Sequence, residues 1–220
     1  MGEDHCPWME EILLLIDIEE AIEKYNMKVD GILHIGAHYG EEAPVYDRIG
    51  VPVWWVEGNP KAFRKLKSVL KRFPNQDCVA AVVSDSVGEV NFNVANNGQS
   101  SSILELGTHK QEHPEVKYVD AFNATTTTID NLWSEQKVGL GNFVNLDIQG
   151  AELLALQGGR WYLENVDYIY SEVNRKELYV GCAIISDLDN YLRKLGFERV
   201  QVEWTQHGWG DALWIRQDSV

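Results

Sequence analysis

The 220-residue sequence predicts a single α/β fold built on a doubly wound, mostly parallel sheet. Short apolar runs alternate with helical patterns along the chain, which is typical of parallel strands joined by crossover helices. The first two runs, 31–35 and 51–56, are separated by a glycine turn and a helical segment. The last two, 199–204 and 212–215, are joined too tightly for a crossover, so the final strand is predicted to be antiparallel.

The individual elements follow from hydrophobic periodicity and from capping residues. An amphipathic helix is predicted at 10–25, before the first strand. Asn59, followed by Pro60, marks the start of the helix after the second strand. The alternating stretch 88–95 predicts a half-buried strand, and we expect a seven-stranded sheet with an extra β-hairpin. The remaining predicted strands are 78–83, 125–128, 142–148 and 166–171, and the remaining helices are 41–49, 129–133, one containing 153–156, and 184–195.

The domain organisation is predicted to be simple. We expect an N-terminal helical extension, residues 1–29, and one domain, residues 30–220, since this length suits one α/β core. No run approaches the ~18 continuous apolar residues of a membrane helix. The three cysteines are odd in number and far apart, and the first residues are acidic where a secretory signal is basic. These features predict reduced thiols and a cytoplasmic protein.

The charge balance restricts the class of partner. A net charge of −15 disfavours a nucleic-acid partner, because phosphate binding needs a basic surface. One predicted helix carries a basic run between Lys61 and Arg72. Its apolar residues share one helical face, so the basic side chains are interpreted as the solvated face.

A glycine turn and an acidic residue suggest a nucleoside site. Gly36 and Gly40 follow the first strand, and Glu57 ends the second, 21 residues after Gly36. In nucleotide-binding α/β units the glycines allow close backbone approach, and the acidic residue binds ribose hydroxyls. The G-x-x-x-G spacing lacks the middle glycine that the pyrophosphate of NAD requires, so S-adenosylmethionine fits better. An ordinary glycine turn and an NAD(P)-dependent oxidoreductase are the alternatives.

Polar residues collect at the predicted carboxyl ends of the strands, where open parallel sheets bind ligands. Each has a structural alternative when taken alone: Asp147 as a helix cap, for example, or Glu172 as a partner of Arg175. The loop of the final hairpin is predicted at the same edge. The clusters are Gly36–Gly40, Glu57, Ser84 with Asp85, Asp147–Gln149, Glu172–Asn174 and His207–Asp211.

An ordered set of motifs runs from about residue 30 to residue 216: LHIGAHYG, WVEGNP, AAVVSDSVGEVNF, QSSSIL, TTTTIDNL, NLDIQGAELLALQGG, SEVN and GWGDALWIR. Together they resemble the FkbM-type family of S-adenosylmethionine-dependent methyltransferases, within the class I methyltransferase fold. The commonest family pattern has an acidic residue where Gln149 stands. The resemblance implies O-methylation of a small-molecule or glycan acceptor, most often on a sugar hydroxyl.

The resemblance and the strand-end positions together imply residue roles. Asp147 is expected at the chemical centre, because it ends the central strand beside the methyl group, with Glu172 on the neighbouring strand. His38 and His207 are candidate bases, and the alternative for each is a hydrogen-bonded loop histidine. The expected cofactor residues are Gly36, Ala37, His38, Gly40, Glu57, Asn59, Ser84, Asp85, Ser101, Ser102 and Asp147.

A metal ion and an acceptor wall complete the expected site. Asp147, Glu172 and Asn174 offer hard oxygen ligands that suit Mg²⁺ or Mn²⁺, which would help to remove the proton of a hydroxyl. Asn174, Tyr179 and Trp209 are expected on the acceptor side, with the aromatic rings stacking on a sugar. The alternative for Trp209 is a core or hairpin role. A non-catalytic S-adenosylmethionine-binding module is the alternative for the whole chain.

Overall fold

The computed structural model describes residues 14–217. The helices are α1 Ile18–Lys24, α2 Ala43–Ile49, α3 Pro60–Val69, α4 His109–Glu112, α5 Ile129–Ser134, α6 Glu152–Gln157 and α7 Ile185–Lys194, with 3-10 turns at Leu70–Arg72 and Tyr162–Asn165. The strands are β1 Ile32–Ile35, β2 Val53–Glu57, β3 Gln76–Ala80, β4 Val82–Val83, β5 Glu89–Ala95, β6 Tyr118–Thr127, β7 Phe143–Leu146, β8 Tyr168–Asn174, β9 Phe197–Trp204 and β10 Trp209–Arg216.

Within that range the chain forms one large and one small sheet. The large sheet has seven strands in the order β3-β2-β1-β7-β8-β10-β9, and the small one has the order β4-β6-β5. In the large sheet β10 runs antiparallel to both neighbours, whereas the other pairs are parallel. The predicted fold class is confirmed: a mostly parallel doubly wound sheet, an antiparallel last strand and an extra hairpin, β5–β6.

Helices cover both faces of the large sheet. Every residue of β1 and β7 is buried, as expected for central parallel strands packed on two sides. Helices α1, α2 and α3 contribute Ile18, Tyr46 and Leu66 to the core on one face. Helices α5, α6 and α7 contribute residues such as Leu156 and Leu192 to the core on the other face. The alternation of helices along the sequence therefore builds two apolar layers around the sheet.

The order of strands across the large sheet reverses direction between β1 and β7, and a crevice opens there at the carboxyl ends of these two strands. β1 pairs with β2 on one side and with β7 on the other. The Asp147 N–H donates to the Ile35 carbonyl at 2.9 Å. Gly36 has φ +94°, and a Cβ there would lie 1.7 Å from the Asp147 carbonyl oxygen. Glycine is required here, because the backbone after β7 passes directly over it.

The N-terminal helix is shorter than the predicted 10–25. Asp17 caps it by accepting from the Glu20 N–H at 3.0 Å, so α1 begins at Ile18. The chain from residue 14 to Asp17 is not helical, and the Leu15 N–H instead donates to Asp211 at 2.8 Å. The predicted helical residues before 14 lie outside the described part of the chain.

Three predicted strands have different bounds because of long-range pairing. The predicted strand 78–83 is divided, since β3 belongs to the large sheet whereas β4 pairs with β6 in the small one. The predicted strand 125–128 is the end of the ten-residue β6, which pairs with β5. The predicted strand 166–171 extends to Asn174, because β10 pairs along its full length. Glu172 therefore lies within a strand rather than beyond its end.

The expectations about membrane helices and reduced cysteines can be compared with the structure for residues 14–217. Among residues 14–217, no helix combines the length and the apolar character needed to cross a lipid bilayer. Cys78 and Cys182 are free thiols, the first half-buried and the second buried. Cys6 lies outside the described range.

Candidate active site

A cavity of about 330 Å³ opens at the carboxyl edge of the large sheet. It is bounded by the glycine loop after β1, by Glu57 at the end of β2, by β4, by the loop 97–103 and by the ends of β7 and β8. Small-molecule sites commonly have volumes of about 300–1,000 Å³. The cavity also lies at the point where the strand order reverses, which is where doubly wound sheets bind ligands.

Glu57 joins the glycine loop to the turn after β2. Its Oε2 accepts from the His38 backbone N–H at 2.7 Å, and its Oε1 accepts from the Asn59 N–H at 2.5 Å. Burial raises the pKa of Glu57 to about 7, although both hydrogen bonds act in the opposite direction. The Glu57 carboxylate accepts from a loop N–H group of the kind that binds a dinucleotide pyrophosphate, so this donor is already used. This arrangement argues against the NAD(P) alternative.

His38 is held in place on three sides. Its φ is +42°, which is uncommon for a residue with a side chain. Its Nδ1 lies 2.8 Å from Glu41 Oε1, and its ring stacks on Tyr39 with centroids 3.7 Å apart. Its Nε2 is buried and has no hydrogen-bond partner within residues 14–217. Gly98 lies over that nitrogen, since a Cβ there would be 3.1 Å from it. A ring covered in this way is poorly placed to act as a base.

Gln149 connects two carboxyl groups at the ends of β7 and β8. Its Nε2 donates to Asp147 Oδ1 and to Glu172 Oε2, at 2.7 Å each. Its Oε1 accepts from the Tyr179 hydroxyl at 2.5 Å. An amide nitrogen can donate to two carboxyl groups at once, whereas an acidic side chain at this position would add a third acceptor. The glutamine that departs from the family pattern therefore stabilises this arrangement.

Asp147 and Glu172 share the Gln149 amide donor, and the pKa of each carboxyl group is raised. Burial and the charge of Asp147 raise the pKa of Glu172 well above its usual range. Burial also raises the pKa of Asp147, while hydrogen bonds from Gln149 and Glu172 act to lower it. The charge of Asp147 therefore favours the protonated form of Glu172. Asp147 remains accessible where it lines the cavity, so a ligand would contact it there.

Glu152 fixes the turn that carries Asp147 and Gln149, and sequence reasoning missed it. Its Oε1 accepts from the N–H groups of Ile148 and Gly150, at 3.1 and 3.0 Å. Burial raises its pKa to about 7. The available signal was its position at the first residue of α6, where backbone N–H groups lack partners within the helix.

The structure gathers most of the predicted site residues around the cavity and leaves the others outside it. Residues that line it are Gly36, Ala37, His38, Glu57, Ser101, Ser102, Asp147, Glu172, Tyr179 and Trp209. Residues that do not line it are Gly40, Asn59, Ser84, Asp85, Asn174 and His207.

Ser84 and Asp85 lie outside the cavity because β4 leaves the large sheet. The Ser84 backbone packs against the end of α6, where a Cβ on Gly158 would lie 2.3 Å from the Ser84 carbonyl oxygen. Asp85 is exposed. The wall expected from these two residues is formed instead by apolar side chains, among them Val82, Val83 and Phe92.

The predicted metal ligands do not fit a metal ion. Asn174 is 1% exposed, lies outside the cavity lining, and pairs with Trp209 in the sheet. The amide nitrogen of Gln149 donates to both Asp147 and Glu172, so a donor stands where the two carboxyl groups would share a cation. In the described part of the chain, no three His, Cys, Asp or Glu side chains are grouped to hold a metal.

The outer wall carries histidines that sequence reasoning also missed. His109 and His113 line the cavity, with ring centroids 5.0 Å apart, and His109 lies beside Tyr179. Burial and the neighbouring His113 lower the pKa of His109. His207 lies outside this wall, 4.6 Å from the His113 ring. No motif marks this wall, because α4 is only four residues long.

Comparison with known proteins identifies the family. The family model described as the Methyltransferase FkbM domain matches residues 34–199. The chain belongs to the FkbM methyltransferase family. A curated relative is the 2-O-methyltransferase NoeI of Sinorhizobium fredii (strain NBRC 101917 / NGR234), 24% identical over 159 residues. That match covers 68% of this chain, and the chain spans 65% of the relative's length.

Solved structures confirm that the fold is that of methyltransferases. Magnesium protoporphyrin IX methyltransferase (ChlM) from Synechocystis PCC 6803, with bound S-adenosylmethionine, has a TM-score of 0.52 at 10% identity. That match covers 90% of this FkbM-family chain and 76% of ChlM. The N-terminal domain of EvdMO1, in the presence of S-adenosylhomocysteine and D-fucose, has a TM-score of 0.51 at 12% identity. It covers 98% of this chain and 84% of that one.

Proposed function

We propose that this chain catalyses S-adenosylmethionine-dependent O-methylation, with a hydroxyl of a sugar or glycan as the acceptor. The observation that carries the proposal is the accessible Asp147 carboxyl group beside the glycine loop, joined through the Gln149 amide to Glu172, whose pKa is raised. Membership of a methyltransferase family supports methyl transfer. The name of the NoeI relative and the D-fucose studied with EvdMO1 support a sugar hydroxyl.

The cofactor is assigned to the glycine loop and Glu57. A carboxylate has about four acceptor positions, so Glu57 can still accept from ribose hydroxyls after its two backbone hydrogen bonds. Ser101 and Ser102 line the same cavity from the loop 97–103. The Ser102 hydroxyl donates to the Gln149 carbonyl at 2.8 Å, which joins this loop to the turn that carries Asp147. The carboxylates nearby favour the positive sulfonium group.

The proposed reaction is an in-line displacement. A bond forms between the acceptor oxygen and the methyl carbon as the carbon–sulfur bond breaks, and S-adenosylhomocysteine leaves. The hydroxyl proton passes to Asp147, whose raised pKa makes it a better base near neutral pH. Positioning of the acceptor and exclusion of water supply much of the remaining rate enhancement. Gln149 orients Asp147 through its 2.7 Å hydrogen bond.

The first experiment separates binding from turnover. Calorimetry with S-adenosylmethionine, S-adenosylhomocysteine and NAD identifies the cofactor, and formation of S-adenosylhomocysteine with a panel of neutral glycosides measures turnover. We expect Asp147→Asn to keep cofactor binding and to lose about 10²–10⁴-fold in turnover. Asp85→Asn, at an exposed position outside the cavity, is the matched control and should remain active.

Each other result has a definite meaning. Full activity of Asp147→Asn would remove Asp147 from the mechanism. Binding of NAD alone would support an oxidoreductase. Binding of S-adenosylmethionine without turnover of any hydroxyl acceptor would support the non-catalytic module.

A further inference from the structure

The cavity wall is strongly acidic. Of the residues in the range 14–217 that line it, seven carry carboxyl groups and none is Lys or Arg. Residues 1–13 and 218–220 contain no Lys or Arg in the sequence. The seven carboxyl residues are Glu41, Glu42, Glu57, Glu115, Asp147, Glu172 and Asp211.

Backbone amides around the cavity are already used by the protein's own carboxyl groups. Phosphate sites in proteins are commonly built from such N–H groups at strand ends and helix starts. Here six of them donate to Glu or Asp side chains at 3.1 Å or less. The pairs are His38 and Asn59 with Glu57, Tyr39 with Glu41, Ile148 and Gly150 with Glu152, and Leu15 with Asp211.

Two side-chain donors of the wall are used in the same way. Both donor contacts of the Gln149 amide go to carboxyl groups, and the Tyr170 hydroxyl donates to Asp211 at 2.5 Å. His34 is neutral, because burial lowers its pKa to about 3. Lys176 lies outside the lining and pairs with Glu112 at 2.5 Å. An anion entering the cavity would therefore meet oxygen atoms whose neighbouring donors are already used, with no Lys or Arg among the described lining residues to balance its charge.

We propose that the acceptor enters this cavity without an anionic group. A neutral hydroxyl-bearing molecule is accepted, and its phosphorylated, sulfated or nucleotide-activated forms are excluded. An anion that loses its hydration in the cavity needs a compensating charge, and no Lys or Arg of residues 14–217 lines the wall to supply one. The inference rests on the proposed methyl transfer to a hydroxyl. If nucleotide-activated sugars are excluded, the acceptor is methylated either before its sugar is linked to a nucleotide or after the nucleotide has been released.

Binding is tested first, with the chain saturated by S-adenosylhomocysteine. The indole N–H of Trp209, which lines the cavity, reports occupancy in ¹⁵N-labelled protein and is assigned with Trp209→Phe. We expect no shift of this signal with inorganic pyrophosphate at millimolar concentration. A saturable shift would overturn the proposal. Failure to bind S-adenosylhomocysteine in the same sample would instead contradict the proposed function.

One charge reversal tests whether the acidic wall is the cause. Glu115 lines the cavity, and its side chain is 71% exposed, so Glu115→Lys should fold. We expect this variant to bind pyrophosphate about tenfold more tightly than wild type. Glu164→Lys, at an exposed position outside the cavity, is the matched control. Equal pyrophosphate affinity in the two variants would show that charge is not what excludes the anion.

Turnover provides the second test. For any glycoside that is methylated, kcat/KM is compared with that of its phosphate and its nucleoside-diphosphate derivative. We expect the neutral form to be preferred by at least about 100-fold, because like-charge contacts are strongly penalised. A ratio near one, or a preference for the charged derivative, would overturn the proposal.

Discussion

Glu57, which is buried, and Glu172, which is half-buried, are carboxyl groups at the same sheet edge, yet they are held by different kinds of partner. Glu57 accepts from two backbone N–H groups and so depends on the course of the main chain. Glu172 accepts from a side chain, Gln149, and burial and the charge of Asp147 raise its pKa. The β1–β2 half of the cavity is therefore fixed by backbone geometry, whereas the β7–β8 half is fixed by ionisation.

This difference suits the two tasks proposed for the cavity. A cofactor needs a wall whose shape stays the same throughout the reaction. Proton transfer needs a group whose protonation state can change near neutral pH. Substitutions in the first half should therefore alter stability and cofactor affinity, and substitutions in the second half should alter pH dependence and turnover.

Gly36→Ala should have the largest effect, because Gly36 is where the two halves meet. The added Cβ would lie 1.7 Å from the Asp147 carbonyl oxygen, so the β1–β7 junction must shift. We expect a loss of at least about 4 kcal/mol in the free energy of unfolding, measured in urea. The matched control is Gly50→Ala, with φ +81° and no atom within 4 Å, which should lose about 1–2 kcal/mol. Equal losses would refute the steric explanation.

Glu57→Gln tests the half fixed by backbone geometry. The amide NH₂ of the new side chain would face one of two backbone N–H donors, His38 or Asn59, and leave it buried without an acceptor. We expect a loss of about 2–3 kcal/mol in the free energy of unfolding, together with weaker S-adenosylmethionine binding by calorimetry. Glu135→Gln, at an exposed position, is the control. Wild-type stability of Glu57→Gln would show that these two bonds do not hold the loop.

Gln149→Glu tests the half fixed by ionisation. The substitution removes the donor shared by Asp147 and Glu172 and adds a third carboxyl group. We expect a loss of about 1–2 kcal/mol at pH 8 and a smaller loss at pH 5.5, where the added group is more often protonated. Gln157→Glu, at an exposed position in α6, should change little. A loss that is independent of pH would mean that charge is not its cause.

The smallest expected effect is the pH dependence of thermal stability. Burial raises the pKa of Glu42 to about 8, and those of Glu57 and Glu152 to about 7. The folded state then binds more protons than the unfolded chain, so this stability is complete below the unfolded pKa and is lost as pH rises through 7 and 8. We expect the melting temperature to fall from pH 6.5 to 8.5.

The low pKa of His34 acts in the opposite direction, but only below its unfolded value of 6.5. Glu42→Gln should reduce the fall in melting temperature, because it removes a group whose pKa of about 8 lies within this range. Glu164→Gln, at an exposed position, should leave the fall unchanged. A melting temperature that rises across this range would contradict the assignment of buried, protonated carboxyl groups.

The sequence predicted those features that depend on neighbouring residues. Asn59 caps α3 as expected, since its side chain accepts from the Lys61 N–H at 2.9 Å. Gly36 and Glu57 reach one cavity because each directly follows or ends a parallel strand. The order of strands and helices alone was enough to predict the fold class.

Features that depend on distant residues were not predictable. The division of 78–83 into two strands depends on β6, about 40 residues later, and it moved Ser84 and Asp85 away from the cavity. Asn174 lies in β8 only because β10 pairs with it. The contacts of Gln149 bring together residues from β7, β8 and the loop after β8, which no local pattern reveals.

The short stretch before α1 has a practical consequence for anyone who trims this chain. Leu14 lines the cavity, and the Leu15 N–H is held by Asp211 at 2.8 Å. A truncation that starts at Ile18 would keep every helix and strand of the described range. Judged from secondary structure alone, it would therefore be expected to leave the fold intact. It would also remove part of the cavity wall and leave a buried Asp211 with one donor fewer. Expression boundaries and affinity tags are better placed well upstream of Leu14.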